Sequence, residues 1–280
     1  MKAARWVAAV VSGAALVAGT MLPATSRGGQ ESNGVQVETV RIAVPGQAAL
    51  TAFVVRPDGR RGNGPRFAGV LYLHWFEPGH ASADSSEFLA EAIELADRGV
   101  VSVLPQQRFP WAFDPVGDQR DRTAVSNGVA DARAALDYLA RQEGVDRSRL
   151  AIAGHDYGAM YATVLAQADR RVKATVLVAL DARWANWFNM FWIGLEGPAE
   201  AAYFAVFAGL DPVDNVGRLG ARQLFQWSDP DFFIPAAIRA QFAAAAPDAI
   251  VKTYTRTDHS LDLTTTESDR IAFLATQLGL

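Results

Sequence analysis

Apolar and polar positions along the chain follow two different periods, which divide it into strands and helices. Residues 35–44 alternate between apolar and polar, as do residues 50–56 after a Pro-Gly turn, so an antiparallel hairpin is predicted at this end. Nearly continuous apolar runs at 67–74, 100–104, 149–153 and 172–180 are typical of parallel strands buried on both faces. Two further strands are predicted at 223–227 and 250–255.

The segments between these strands have apolar residues at helical spacing. On 123–142, Val125, Val129, Ala132, Leu136 and Leu139 fall on one side of a helix. Helices are also predicted between Asp84 and Gly99, and at 159–166, 235–246 and 266–278. The alternation predicts an α/β fold, with a mostly parallel central sheet covered by helices on both faces and entered through the antiparallel hairpin.

One interval, 181–222, breaks this alternation. It is too long for a simple connection, and it is rich in aromatic residues: Trp184, Trp187, Phe188, Phe191, Trp192, Tyr203, Phe204 and Phe207. Such an insertion beside the carboxyl edge of a parallel sheet is typical of a small lid that lines an apolar pocket. The alternative is an additional packed helix pair. We therefore predict one domain at 35–280, with a lid at 181–222.

The start of the chain has the pattern of an export signal. Lys2 and Arg5 are followed by an apolar run to Leu22, and 24–26 are small residues suited to cleavage. A signal peptide is predicted at 1–26 and a polar linker at 27–34, which implies a secreted or periplasmic protein. The alternative is an uncleaved N-terminal anchor, which would be the chain's contact with a membrane.

Composition narrows the remaining classes. The chain has 280 residues, half of them hydrophobic, and a formal net charge of −4, so a nucleic-acid surface is not expected. The chain has no cysteine, which excludes disulfides. Its four histidines lack the spacing of a metal site, and no phosphate-binding loop is found, so we expect no metal and no cofactor. The expected partner is a small-molecule substrate, and the oligomeric state stays open.

The candidate chemistry is centred on Gly154-His155-Asp156-Tyr157-Gly158, which joins a predicted strand to a predicted helix. Small residues around a polar centre are typical of a nucleophile elbow, in which glycines let strand and helix approach closely. The central residue, here Asp156, would project at the positive end of the helix. The alternative is a glycine-rich turn with a helix-capping aspartate.

Two further candidate residues follow later strands. Asp231 comes after the strand at 223–227, and His259 comes after the strand at 250–255. The order nucleophile, acid, histidine is that of α/β-hydrolases. Asp229 competes with Asp231 for the role of the acid, but the spacing to Pro235 favours Asp231.

Through these residues the chain from 35 to 280 resembles the α/β-hydrolase superfamily, near its dienelactone-hydrolase-related branch. The matching positions are Leu224-Phe225-Gln226-Trp227, Asp231, Ile234-Pro235 and Asp258-His259. The elbow itself is more similar to those of epoxide hydrolases and haloalkane dehalogenases, whose nucleophile is aspartate. The resemblance implies that Asp156 is the nucleophile, that Asp231 orients the histidine, and that His259 is the base.

An aspartate nucleophile restricts the substrate. Attack by a carboxylate on an ester would form a mixed anhydride, whereas attack on the saturated carbon of an epoxide or alkyl halide forms an ordinary alkyl ester. The helix terminus is expected to hold Asp156 ionised. His259 would then activate water to hydrolyse the ester. We expect an epoxide, or a related small apolar electrophile.

Other residues are predicted to complete the site. The backbone N–H of Tyr157, with that of Trp75 or Phe76, is expected to bind the oxyanion. Epoxide hydrolases generally use two lid tyrosines, but 181–222 has only Tyr203, and dehalogenases commonly place Trp where this chain has Tyr157. The predicted lining of the pocket is His74, which is expected to orient its loop, with Trp184, Trp187, Trp192 and Tyr203.

Two other functions stay open at this point. An esterase or lactonase, as in dienelactone hydrolases, would use Asp156 as a base or to position water. A non-catalytic protein would keep the fold and an aromatic cavity for binding a ligand.

Overall fold

The structure is a computed structural model, which describes residues 34–58, 67–77, 80, 83–108 and 114–280. The predicted signal peptide lies outside these residues, as does the predicted linker except for Gly34. Within the described ranges, no helix combines the length and the hydrophobicity needed to cross a bilayer.

The core is one sheet of eight strands. The strands are β1 Val35–Ile42, β2 Leu50–Pro57, β3 Phe67–Leu73, β4 Val100–Pro105, β5 Val145–His155, β6 Val172–Val178, β7 Arg222–Ser228 and β8 Ile250–Tyr254. Their order in the sheet is β1-β2-β4-β3-β5-β6-β7-β8. The hairpin β1–β2 is antiparallel and pairs with β4, whereas β3 to β8 run parallel. This architecture confirms the predicted fold class.

Helices follow the strands on both faces. They are α1 Leu89–Asp97, α2 Gln119–Ala140, α3 Tyr157–Ala168, α4 Trp184–Phe188, α5 Pro198–Val206, α6 Pro212–Val216, α7 Ala236–Ala245 and α8 Thr264–Leu278, with a π-helical turn at Asn189–Ile193 after α4. Helices α2 and α3 contact each other on one face, and α1 contacts α8 on the other.

The alternating residues of each strand divide the core into two layers. In β3, Leu71 and Leu73 join the cluster that includes α2 and α3, while Val70 and Tyr72 join the cluster that includes α1 and α8. This follows from the period of two in a strand, which directs successive side chains to opposite faces. A strand buried on both faces must be apolar throughout, which explains the unbroken run.

Two elements, α2 and β5, begin clearly earlier than the pattern predicts. Helix α2 begins at Gln119 rather than at 123, because the Asp118 side chain caps it by accepting the Arg120 N–H at 2.8 Å. Strand β5 begins at Val145, which pairs with Phe67, so polar residues precede its apolar part. Pairing of β5 with β3 and capping of α2 extend the two elements beyond their apolar segments.

The aromatic interval 181–222 forms α4, the π-helical turn, α5 and α6. Trp184, Phe188 and Phe207 are fully buried and belong to the same cluster as α3. Their rings pack on one another, with Trp184–Phe188 and Phe188–Phe207 centroids both 5.7 Å apart. Part of the predicted lid is therefore continuous with the core of the domain.

Candidate active site

The turn between β5 and α3 has the geometry of a strained elbow. Asp156 has φ 50° and ψ −115°, a conformation that costs a non-glycine residue about 1–3 kcal/mol. Its backbone N–H still pairs with β6, through Val178 O at 2.9 Å, and its carbonyl accepts the first helical bond from Met160. These two backbone hydrogen bonds therefore help to keep the turn in its strained conformation.

Glycines on both sides make this turn possible. A Cβ on Gly158 would lie 1.9 Å from the carbonyl oxygen of Leu73, and a Cβ on Gly154 would lie 2.5 Å from the carbonyl oxygen of Gly158. Both clashes are with backbone, which cannot rotate away as a side chain can. The elbow helix is thus seated directly against the end of β3.

The carboxyl ends of the parallel strands bring distant parts of the chain together. Asp156 follows β5, Asp181 lies shortly after β6, Asp231 follows β7 and His259 follows β8. Because β5 to β8 are neighbours in the sheet, these side chains share one edge. Such an edge is where α/β proteins commonly bind ligands.

His259 is oriented by Asp231. Its Nδ1 lies 3.0 Å from Asp231 Oδ2, while Asp231 Oδ1 accepts the backbone N–H groups of Phe233 and Ile234 at 2.8 and 3.0 Å. Burial would raise the pKa of Asp231, but the hydrogen bond from His259 and these N–H groups outweigh it and hold the pKa below its ordinary value. The competing candidate, Asp229, is about half exposed and pairs with Arg239 instead.

The bond to Asp231 also fixes which ring nitrogen of His259 has the lone pair. Burial lowers the pKa of His259, although its bond to Asp231 opposes the change. Since Nδ1–H donates to Asp231, Nε2 has the lone pair. This atom is buried and has no hydrogen-bond partner among the described residues, so it is placed to accept a proton.

The carboxyl group of Asp156 is buried, with only 1% of the residue exposed. Burial raises its pKa well above the ordinary value; the backbone N–H of Phe76, which donates to the carboxyl, opposes this, while the nearby acids Glu87, Asp181 and Asp231 add to it to the extent that each is ionised. Asp156 Oδ1 has no hydrogen-bond partner within the described ranges.

The ionised Asp156 expected at the helix terminus stays a prediction, and the burial of this carboxyl group acts against it. The cost of removing the carboxylate from water exceeds the stabilisation from one N–H group and a helix terminus.

The two neighbours of Asp156 in the sequence are linked to His259, one directly and the other through Trp187. On one side, His155 Nε2 lies 3.0 Å from the backbone carbonyl oxygen of His259. On the other side, the Tyr157 ring meets the edge of Trp187 with centroids 5.7 Å apart, and the Trp187 ring is stacked 6.2 Å from that of His259. Asp156 and His259 are thus held at one edge by contacts on both sides of the elbow.

The loop after β3 provides one N–H group for the Asp156 carboxyl. The Phe76 N–H donates to Asp156, whereas the Trp75 N–H donates to Glu87 Oε2 at 2.9 Å. Of the two predicted oxyanion donors in this loop, Phe76 is the one directed at the elbow.

His74 fixes the same loop. Its Nδ1 donates to Trp75 O at 2.7 Å, and its Nε2 accepts the Gln107 N–H at 3.0 Å. Burial lowers its pKa to about 4, so it is neutral. These contacts are those of a residue that orients the loop.

The predicted aromatic lining divides into two groups. Trp187 covers His259, together with Phe233, whose ring centroid is 4.9 Å from that of the imidazole. Phe191 packs on both, and Trp192 packs on Phe191 one ring further out.

Trp184 and Tyr203 are placed elsewhere than predicted. Trp184 is fully buried, and its Nε1–H donates to Leu210 O at 3.0 Å. The Tyr203 hydroxyl donates to Asp121 Oδ2 at 2.6 Å. The polar atoms of both residues are occupied inside the core, because the helices of 181–222 pack these side chains inward.

Two acidic residues near the elbow carry no obvious sequence signal. Asp181 accepts hydrogen bonds from Arg183 N and Asn186 Nδ2, and burial raises its pKa to about 6. Its position just after β6 parallels that of the other candidates, which is the one clue the sequence offers. Glu87 precedes α1 and contacts both Trp75 and His155, which no spacing indicates. Over the described ranges, no cluster of three or more His, Cys, Asp or Glu is arranged to hold a metal ion.

The sheet order and the strained elbow are features of the α/β-hydrolase class. Residues 90–276 match the model of the prolyl oligopeptidase family. This match covers well over half of the chain, and the protein belongs to that family. No curated protein matches the chain significantly.

Solved structures share the fold. A Klebsiella pneumoniae protein assigned as a dienelactone hydrolase superposes with a TM-score of 0.62 at 17% identity, over 88% of this chain and 99% of that one. An acetyl xylan esterase from Paenibacillus sp. R4 gives 0.70 at 18% identity, covering 88% and 85% of the two chains. A puromycin-hydrolysing peptidase from Mycobacterium tuberculosis gives 0.66 at 18%, covering 88% and 40%.

Proposed function

We propose that this protein hydrolyses a small apolar electrophile through a covalent alkyl ester on Asp156, with an epoxide as the preferred substrate class. The observation that carries the proposal is the elbow itself. At the position where α/β-hydrolases have serine, a carboxyl group lies at the same edge as His259, whose Nε2 has no hydrogen-bond partner among the described residues.

The first step begins with the proton on Asp156. His259 Nε2 takes this proton when substrate is bound, which leaves a carboxylate and an imidazolium that Asp231 stabilises. The carboxylate attacks a ring carbon of the epoxide, and the carbon–oxygen bond breaks. The alkoxide that forms takes the proton from His259, so His259 supplies the acid that lid tyrosines supply in other epoxide hydrolases.

The second step hydrolyses the ester. Neutral His259 removes a proton from water, and the resulting hydroxide attacks the carboxyl carbon of Asp156. The Phe76 N–H, with that of Tyr157, stabilises the oxyanion. Collapse of this intermediate expels the second alkoxide, which takes the proton from His259. A diol leaves, and Asp156 is again a neutral acid, as its raised pKa favours.

The surroundings of His259 support an apolar substrate. Trp187 and Phe233 cover the imidazole, and Phe191 continues the aromatic surface. Such side chains bind flat apolar groups and exclude water from an ionic intermediate. We also propose that the chain is exported, on the basis of the charged and apolar pattern of residues 1–26.

A second candidate is hydrolysis of an ester or lactone. The family match, the esterase-like folds and the raised pKa of Asp156 favour it, because a neutral Asp156 is not a nucleophile. In this reaction His259 would direct water onto the substrate carbonyl, and Asp156 would position the water.

Trapping the intermediate separates the candidates. Wild type mixed with an excess of an aryl or alkyl epoxide and stopped in acid within milliseconds should contain an adduct of the epoxide's mass on the peptide with Asp156, whereas His259→Gln, which lacks the group that takes the Asp156 proton, should form it far more slowly. The variant Asp156→Asn, with the same treatment, should show none. Absence of an adduct, combined with wild-type turnover of p-nitrophenyl esters, would favour the second candidate. No adduct and no turnover of either class would favour a non-catalytic binding protein.

A further inference from the structure

A chain of hydrogen bonds runs behind the candidate triad. Trp75 N–H donates to Glu87 Oε2 at 2.9 Å, Glu87 Oε1 lies 2.7 Å from His155 Nδ1, and His155 Nε2 lies 3.0 Å from His259 O. It connects the loop after β3, the segment before α1, the elbow and the histidine loop. None of its side chains takes part in the proposed chemistry.

The chemistry of the acceptors locates the protons. The carbonyl oxygen of His259 can only accept, so His155 Nε2 must carry a hydrogen. The contact between His155 Nδ1 and Glu87 then contains one proton, which belongs either to the imidazole or to the carboxyl group. The first arrangement is an ion pair, the second a neutral pair, and both have the same net charge.

Burial favours the neutral pair. The side chains of His155 and Glu87 are 1% and 12% exposed, and the neutral pair avoids placing two charges away from water. Burial raises the pKa of Glu87 to about 8 and lowers that of His155 to about 3.

Some of the charges around the pair favour the ion pair, and others favour the neutral pair. Arg270, His80 and His259 face Glu87, and Arg270, Asp231 and Glu77 face His155. Arg270 is committed to Glu91, with Nε 2.9 Å from Glu91 Oε2. The Trp75 ring, stacked 4.8 Å from His155, would favour a cation. A nearby guanidinium and the loss of water oppose that cation.

We propose that Glu87 is a positioning residue that holds a proton as a carboxylic acid, donating it to His155 while accepting the Trp75 N–H, and so fixes the three loops around Asp156. Holding Trp75 in this way directs the next N–H, that of Phe76, to Asp156. Holding His155 fixes the backbone of His259. The effect on turnover rests on the proposed function, whereas the hydrogen-bond arrangement does not.

The protonation states are tested by NMR of protein labelled with ¹⁵N-histidine. The chain has four histidines, and loss of a signal in His155→Gln assigns the residue. Between pH 6 and 7, wild type and Glu87→Gln should both show His155 as the neutral Nε2–H tautomer, since the amide also donates to Nδ1 and accepts from Trp75. An imidazolium signal in wild type that becomes neutral in Glu87→Gln would overturn the proposal.

Turnover provides a second readout, with Glu94→Gln as the control on the exposed face of α1. Glu87→Gln should keep kcat within about threefold of wild type, whereas Glu87→Leu, which loses both bonds, should lower kcat at least tenfold with less change in KM. Equal losses in Gln and Leu variants would overturn the proposed role. If wild type turns over no substrate, the proposed function fails, while the NMR result still decides the proposal on Glu87. If the Leu variant does not fold, the NMR result again decides that proposal.

Discussion

The substitution Gly158→Ala tests the construction of the elbow without any substrate. A Cβ at this position would lie 1.9 Å from Leu73 O, 2.4 Å from Leu73 C and 2.8 Å from His74 O. Relaxed carbon–oxygen contacts are about 3.3–3.6 Å, so α3 and the end of β3 would have to separate by more than about 1 Å. Alanine is otherwise the better helix former, so without this clash the change would be neutral or stabilising.

The clash therefore makes Gly158→Ala destabilising rather than neutral or stabilising. Forcing backbone apart in a packed core costs the upper end of the overpacking range, about 3 kcal/mol or more. For a domain of this size, that lowers Tm by about 6–12 °C. The separation would also move the Phe76 N–H away from Asp156, so activity should fall with stability.

Urea unfolding followed by tryptophan fluorescence measures the effect, with Gly220→Ala as the control. No atom lies within 4 Å of a Cβ built on Gly220. The control should unfold within about 0.5 kcal/mol of wild type. If the free energies of unfolding of Gly158→Ala and Gly220→Ala agree within about 0.5 kcal/mol, the account of the elbow is refuted.

Three further predictions concern the candidate acid, the buried tyrosine of the predicted lid and the buried glutamate behind the elbow. Asp231→Asn should lower kcat about 10³- to 10⁴-fold with little change in Tm, because His259 loses the partner that sets its tautomer; a loss below tenfold in steady-state kinetics would contradict this. Tyr203→Phe should lower the free energy of unfolding by about 1–3 kcal/mol, since Asp121 loses a buried donor, but leave kcat within about threefold; a collapse of kcat at unchanged stability would place Tyr203 in the chemistry. Glu87→Gln should gain stability relative to wild type as pH rises from 5 to 8, by at least about 1 kcal/mol. The folded-state pKa of Glu87 is raised to about 8 from an ordinary 4.5, so its contribution is complete below 4.5 and is lost toward pH 8; an equal difference in urea unfolding at pH 5 and 8 would count against the neutral acid.

The fold is predictable from the sequence because parallel strands buried on both faces leave long apolar runs. The runs at 67–74 and 172–180 coincide with β3 and β6 to within two residues. The starts of α2 and β5 differ more from the prediction, because a cap at Asp118 and the pairing of Val145 with Phe67 of β3 decide them. Apolar periodicity contains no information on either.

The candidate triad is predictable in order but not in electrostatics. Each residue follows a strand, so the topology alone brings Asp156, Asp231 and His259 to one edge. The pKa of Asp156 depends instead on how completely the surrounding chain removes water, and on acids such as Glu87 that are distant in sequence. No local pattern reports either quantity.

The roles of the aromatic residues are equally unpredictable from the sequence. Trp184 and Trp187 lie in the same short helix, and both are buried. One donates to Leu210 within the core, and the other covers the imidazole of His259. Only the packing of 181–222 against α3 distinguishes them, because hydrophobicity and spacing are the same for both.

The raised pKa of Asp156 changes how the proposed reaction is understood. In the proposed reaction, a carboxyl group that holds its proton at rest gives the proton to His259 before it attacks, so the same proton is available for the opening oxygen. Activation of the nucleophile and protonation of the opening oxygen would then use the same proton, carried by His259. This explains how the site can work although Tyr203 is bound to Asp121.

The central claim is that oxygen in the product comes from Asp156 and not directly from water. It is tested most directly by a single turnover in H₂¹⁸O, with enzyme in excess over an epoxide that wild type accepts. The account predicts a diol without ¹⁸O and one ¹⁸O in the peptide that contains Asp156, because water attacks the carboxyl carbon. A diol labelled in this first turnover, with an unlabelled Asp156, would contradict it.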